Sequence, residues 1–138
     1  MEKLVLRKHI TLRISVRFCS AIFHMKWIQI KSENDLNEIM RLSESTAVLV
    51  FKHSTRCSIS SMALSRLERN WDESLPFPIF FLDLLSYRIL SSKIADLFKV
   101  THQSPQVLII KNNQALYSAS HSDIQYNDVL DVLNNSKN

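Results

Sequence analysis

The stretch "FKHSTRCSISSMALSRL", Phe51 to Leu67, sets one cysteine between an apolar run and a run of helical spacing. A thiol in such a place can act as a nucleophile toward disulfides if it ionises and can be reached. Ser58, Ile59 and Ser60 follow Cys57, so Ser60 stands where a dithiol redox motif would carry its second cysteine. A serine cannot close an internal disulfide, and any disulfide formed at Cys57 must be resolved by another molecule. Arg56 is adjacent and His53 lies four residues back, and either can add positive charge that favours a thiolate. Ser60 has two readings, a hydrogen-bond donor to the sulfur or an ordinary exposed helix serine. Cys57 also has a plainer reading as a small core residue, since free cysteines are often buried. Its neighbours Ser54, Thr55, Arg56, Ser58, Ser60 and Ser61 are polar, unlike a strand interior or an apolar helix face. That setting favours a reactive thiol.

The elements around the cysteine follow from the hydrophobic pattern. "TAVLVFK" (Thr46–Lys52) is a continuous apolar run of the kind found in strands buried on both faces. The run after Cys57 predicts a helix to about Trp71, with Ile59, Met62, Ala63, Leu67 and Trp71 near helical spacing. Free backbone N–H groups at the start of that helix, and its dipole, favour negative charge on the sulfur. Upstream, Trp27–Ile30 predicts a short strand, and Ser32 or Asp35 can cap a helix carrying Leu36, Ile39, Met40 and Leu42.

Downstream, "LPFP" (Leu75–Pro78) breaks the helix and "IFFLDLL" (Ile79–Leu85) predicts a second buried strand. A helix beginning near Ser86 follows, with Ile89, Leu90, Ile94, Leu97 and Phe98 expected on its inner face. "THQSPQ" (Thr101–Gln106) turns into the strand "VLII" (Val107–Ile110), and an Asn-Asn turn leads to its hairpin partner "ALYSAS" (Ala115–Ser120). Ser122 or Asp123 is expected to cap a last helix carrying Val129, Leu130, Val132 and Leu133. The order β-α-β-α-β-α-β-β-α predicts an α/β fold with a mixed central sheet.

Composition narrows the function classes. The chain has 138 residues, enough for one domain with its own core. Its formal net charge of +4 is misleading. Lys3, Arg7, Lys8, Arg13 and Arg17 against Glu2 place all of the excess in residues 1–24, and the rest is balanced. A neutral body argues against nucleic-acid binding. No apolar run approaches the length of a membrane span. Two cysteines, Cys19 and Cys57, make no disulfide framework and point to a reducing, cytoplasmic setting. His9, His24, His53, His102 and His121 are scattered without metal-ligand spacing. The chain contains no glycine, so turns that need a positive φ must use Asn, Asp or Ser, as in "KNNQ" (Lys111–Gln114). A phosphate-binding loop would be hard to build without it.

Residues 1–24 alternate basic and apolar residues and differ in character from the rest. They are read as a basic N-terminal extension, either disordered or untranslated with Met25 as the initiator. The rival reading is a basic amphipathic arm. Residues 25–138 form the expected domain. Cys19, in the extension, has no electropositive helix start beside it and is a poor candidate for a resolving thiol.

A strand, a cysteine loop, a helix and a later Ser-Pro entering a strand make up the thioredoxin-like arrangement. "FKHSTRCSIS" together with "THQSPQVLIIKNNQ" resembles the monothiol bacilliredoxin family, thioredoxin-like proteins of the bacillithiol system. The resemblance runs from about Met25 to the C-terminus. It implies a monothiol thiol-disulfide oxidoreductase that removes bacillithiol from protein mixed disulfides. Cys57 would be the nucleophile, with Thr55, Arg56, Ser58, Ser60, Ser104 and Pro105 around the substrate. Pro105 would follow a cis bond, and Ser104 would offer backbone groups to the mixed disulfide. No bound cofactor is implied. The resemblance implies bacillithiol as the cosubstrate, and the expected partners are bacillithiolated client proteins and a reductase, without nucleic acid or membrane.

Two departures stand out. The family usually has proline directly after the cysteine, where this chain has Ser58. Thioredoxins carry a buried acid on the strand before the motif, and "AVLVFK" has none. Proton transfer to the leaving thiol would then fall to solvent or to a side chain such as His53. His102, just before Ser104–Pro105, is read either as part of the site's rim or as an exposed loop histidine. Two alternatives of another class remain at this level. One is a thioredoxin-like binding module without turnover. The other is a monothiol glutaredoxin-like iron–sulfur carrier, in which Cys57 and a small thiol from each of two chains hold a cluster.

Overall fold

A computed structural model describes residues 25–138. The sequence alternation is realised as β1 (Ile28–Gln29), α1 (Glu33–Ser43), β2 (Val48–His53), α2 (Ser58–Asn70), β3 (Ile79–Asp83), α3 (Arg88–Phe98), β4 (Gln106–Lys111), β5 (Gln114–Ser120) and α4 (Tyr126–Asn135). The expected N-terminal extension, residues 1–24 with Cys19, lies outside the described residues.

The strands form one sheet in the order β1-β3-β2-β4-β5. β1 and β2 run parallel to β3, while β4 is antiparallel to β2 and β5 to β4. The mixed α/β sheet expected from the pattern is therefore present. β2 lies at its centre, and all six of its residues are buried, which is why its sequence lacks polar alternation.

Alternation along β2 divides the interior in two. Leu49 and Phe51 face α2 and α4, where they join Ala63, Leu67, Val129 and Leu133. Val48 and Val50 face α1 and α3, where they join Leu36, Ile39, Leu90, Ile94 and Phe98. Burying each of the larger side chains is worth about 1.5–3 kcal/mol, so the two layers lock the sheet between the helix pairs.

The α2 face differs from the expected one. Ser60, Ala63 and Leu67 are buried, whereas Ile59 and Met62 are 49% and 63% exposed. The helix starts directly after Cys57, and a rotation of about 100° per residue then turns the 60-63-67 stripe inward. On α3, Leu90, Ser91, Ile94 and Phe98 face inward, while Ile89 and Leu97 face solvent. Apolar type alone did not distinguish these phases.

The last helix also starts later than expected. Ser122 and Asp123 belong to a 3-10 turn, His121–Asp123, and Gln125 is the N-cap of α4. At α1 the expectation holds: Ser32 is the N-cap, and the Asp35 carboxylate accepts a hydrogen bond from the Ser32 N–H at 2.8 Å.

The glycine-free turns are resolved as expected at Asn112 and Asn113, with φ of 50° and 59°. Lys99 and His121 also adopt positive φ, at 55° and 54°. Lys99 does so as the C-cap of α3, the position where helices most often use glycine. Positive φ in this chain is therefore not confined to Asn, Asp and Ser.

Candidate functional site

β2 and β4 are antiparallel, and Lys52 pairs with Gln106. The end of β2 and the beginning of β4 therefore meet at the same end of the sheet. Two loops emerge there: Ser54–Cys57 from β2, and the segment Thr101–Pro105 that leads into β4. The parallel strand β3 ends beside them, where the Leu84 N–H donates to the His53 carbonyl at 2.9 Å. Topology thus brings together the two sequence segments that carried the resemblance.

Cys57 is a free thiol of intermediate exposure and the N-cap of α2. Its backbone is extended, with φ −108° and ψ 118°, and its N–H donates to the Ser54 carbonyl at 3.1 Å. The first intrahelical bond runs from the Ser61 N–H to the Cys57 carbonyl, at 3.1 Å. The N–H groups of Ser58, Ile59 and Ser60 precede that bond and have no carbonyl within the helix. They form the positive end of the helix beside the cysteine. Thr55, Arg56 and Ser58 are exposed around it.

Ser60 fits neither expected reading. It is fully buried, so it is not an exposed helix serine. Its hydroxyl accepts a hydrogen bond from the Ser54 N–H at 3.0 Å and shares another with His53 Nδ1 at 2.7 Å. No hydrogen bond among the described residues ends on the Cys57 sulfur. At the third helical position, Ser60 instead ties α2 to the end of β2.

His53 corrects a second expectation. Burial lowers the pKa of its imidazole, more than Asp83 and Glu68 raise it. It is therefore held neutral rather than supplying positive charge to the thiol. Its ring packs beside Phe51 and Phe81, with centroids 6.1 and 5.4 Å away.

Ser104–Pro105 is a cis peptide bond, as the resemblance implied. Pro105 is buried, and its carbonyl accepts from the His121 N–H at 3.1 Å. The Ser104 hydroxyl is enclosed and has no hydrogen-bond partner. It is a polar atom at the site with its bonding capacity unused.

The sequence reading missed Lys52, which sits fully buried on the face opposite His53. Its ammonium donates to His102 Nδ1 at 2.8 Å and to Gln106 Oε1 at 3.1 Å. Burial lowers its pKa from 10.5 to about 8. His102 is an exposed residue whose Nδ1 faces inward, and its pKa is lowered by burial and then by the Lys52 charge. The available signal was the lysine ending an otherwise apolar run, but its burial depends on the pairing with Gln106.

Chemically, the arrangement offers one accessible thiol at a helix N-terminus, with no second cysteine among the described residues. That is the equipment for exchange with an external disulfide or thiol. The comparisons agree. A solved structure described as an oxidoreductase with a thioredoxin fold is 27% identical, with a TM-score of 0.66 over 75% of this chain and 90% of its own. The thioredoxin of Malassezia sympodialis superposes with a TM-score of 0.62 at 14% identity, covering 83% of this chain and 94% of its own. Spinach chloroplast thioredoxin f does so at 0.61 and 13%, covering 80% and 92%. These likenesses establish the thioredoxin fold. Together with the first structure's description, the family supports a thiol redox role. The family model described as monothiol bacilliredoxin BrxC matches residues 28–129, and the chain belongs to that family.

Proposed function

We propose that this protein is a monothiol thiol-disulfide oxidoreductase that removes bacillithiol from protein mixed disulfides through Cys57. The observation that carries the reading is the position of Cys57: the partly exposed N-cap of α2, at the end of the sheet where the Thr101–Pro105 segment also emerges. Membership of a family described as monothiol bacilliredoxin supports bacillithiol as the small thiol.

The Cys57 thiolate attacks the bacillithiol sulfur of a protein–bacillithiol disulfide. The old S–S bond breaks as the new one forms, and the client leaves as a thiolate that takes a proton from solvent. A second bacillithiol thiolate then attacks the bacillithiol sulfur held on Cys57. Cys57 is released as thiolate, and the two small thiols leave as their disulfide, which a separate reductase recycles. Exposed Thr55, Arg56 and Ser58 flank the approach, and the Ser104 backbone before Pro105 receives the substrate. A serine at position 60 and the absence of a second cysteine among the described residues leave no thiol there to compete for the mixed disulfide. The balanced charge and single cysteine of the described residues suit a cytoplasmic protein.

The test is incubation with a bacillithiolated model protein, followed by intact-mass analysis of both proteins. Loss of bacillithiol from the client and its gain on this chain are expected, and Cys57→Ser should abolish both. No transfer by the wild-type protein would sink the mechanism. A coloured, iron-containing protein as purified would point to cluster carriage instead.

A further inference from the structure

We propose that Lys52 is the positioning residue for Thr101–Gln106, the segment that presents Ser104 and Pro105 at the thiol site. What the segment presents rests on the function proposed above, but its anchoring rests on hydrogen bonds alone. Lys52 follows Val48 and Val50 on one sheet face, where Leu82, Leu108 and Ile110 are also fully buried. An ammonium on that face is costly unless its donors are used. No salt bridge to a carboxylate compensates it among the described residues. Its acceptors are neutral, and they lie toward the two ends of one segment, His102 near the start and Gln106 at the finish.

Gln106 closes the arrangement. Its side-chain N–H group donates to the Thr101 carbonyl at 3.0 Å and to the Ser118 hydroxyl at 3.2 Å, while its oxygen accepts from Lys52. Ser91 of α3, itself buried, lies 3.2 Å from the same His102 nitrogen. Lys52, Gln106, Thr101 and His102 thus form a closed ring of contacts beneath the segment. Hydrogen bonds from a charged donor are stronger than neutral ones, and in a low-dielectric interior they fix geometry closely. An aliphatic residue here would satisfy the core equally well but would leave the segment without a central tie.

Lys52→Met keeps an unbranched apolar stem and removes the donors. Amide hydrogen exchange would be followed at His121, whose N–H is held by the Pro105 carbonyl, with Ser61 in α2 as internal reference. Steady-state kinetics with a bacillithiolated model protein would accompany it. Exchange at His121 should accelerate while Ser61 is unchanged, and KM should rise about tenfold with kcat retained, the scale of one lost charge-assisted hydrogen bond. Unchanged exchange at His121, equal acceleration at both amides, or an unchanged KM would each overturn the proposal. If Lys52→Met does not fold, His102→Ala removes one exposed partner of the same ring and must raise KM in the same direction. A constant KM there overturns it equally. If the wild-type protein transfers no bacillithiol, the proposed function fails, and exchange at His121 still decides whether Lys52 anchors the segment.

Discussion

The Ser60 hydroxyl lies 2.7 Å from His53 Nδ1 and 3.0 Å from the Ser54 N–H, joining the first turn of α2 to the last residue of β2. This buried contact sets the direction in which the helix leaves the sheet, and with it the position of Cys57. Ser60→Ala would leave the Ser54 N–H and the His53 nitrogen without a partner. A loss of about 1–3 kcal/mol is expected, read from urea unfolding. A change below about 0.5 kcal/mol would mean that water replaces the hydroxyl at little cost.

Ser60→Cys asks what the serine does to the chemistry. It restores the spacing at which a helix-start cysteine can close a disulfide with a thiol in the same turn. Oxidation of the variant should give a chain lighter by two hydrogens, and bacillithiol should no longer accumulate on Cys57. Persistence of the mixed disulfide would show that the new sulfur is turned away or too deeply held.

His53 makes stability depend on acid. Its folded pKa lies below the ordinary 6.5, with burial the first cause, so the unfolded chain binds its proton more readily. The contribution is therefore fully present above about pH 6.5 and is lost as pH falls through the folded value. An NMR titration should show His53 titrating below the ordinary histidine range, and the acid-side slope should diminish in His53→Gln. An imidazole titrating at or above 6.5 would contradict the placement.

Lys52 acts in the opposite pH range. Its folded pKa of about 8 lies below the ordinary 10.5, so between these values the unfolded chain holds a proton that the folded chain has released. This group makes stability rise with pH across that window. The wild-type protein should therefore show a steeper upward component between pH 8 and 10.5 than Lys52→Met, measured by urea unfolding at each pH. Equal slopes in the two proteins would refute the burial of the ammonium.

The helix phase of α2 is tested by paired substitutions. Leu67→Ala empties a fully buried site and should cost about 2–5 kcal/mol. Ile59→Ala and Met62→Ala change exposed side chains and should each cost less than about 0.5 kcal/mol. The reverse ranking in thermal or urea unfolding would restore the face expected from residue type.

The alternation of strands and helices, the place of Cys57 between β2 and α2, and the Asn112–Asn113 turn were all legible without coordinates. Each is written in neighbouring residues: a run of apolar side chains, a change of period, a pair of residues tolerant of positive φ. The Ser-Pro segment was legible only through the family resemblance, because a sequence does not by itself distinguish cis from trans. The inward faces of α2 and α3 were only partly legible, since apolar residues occur on both sides of each helix and its phase is set by where it leaves the strand.

The polar interior belonged to tertiary structure alone. Ser60 and Lys52 look like a helix serine and a strand-ending lysine, and nothing nearby in the chain marks either as buried. What buries them is packing that local pattern does not reveal: α2 folds back on the end of β2 seven residues earlier, and Lys52 is set opposite Gln106, fifty-four residues on, across an antiparallel pair. Local sequence determined which elements form and where the thiol stands. Tertiary contact decided which polar groups meet in the interior, because a buried hydroxyl or ammonium is costly unless another part of the chain offers it a donor or acceptor.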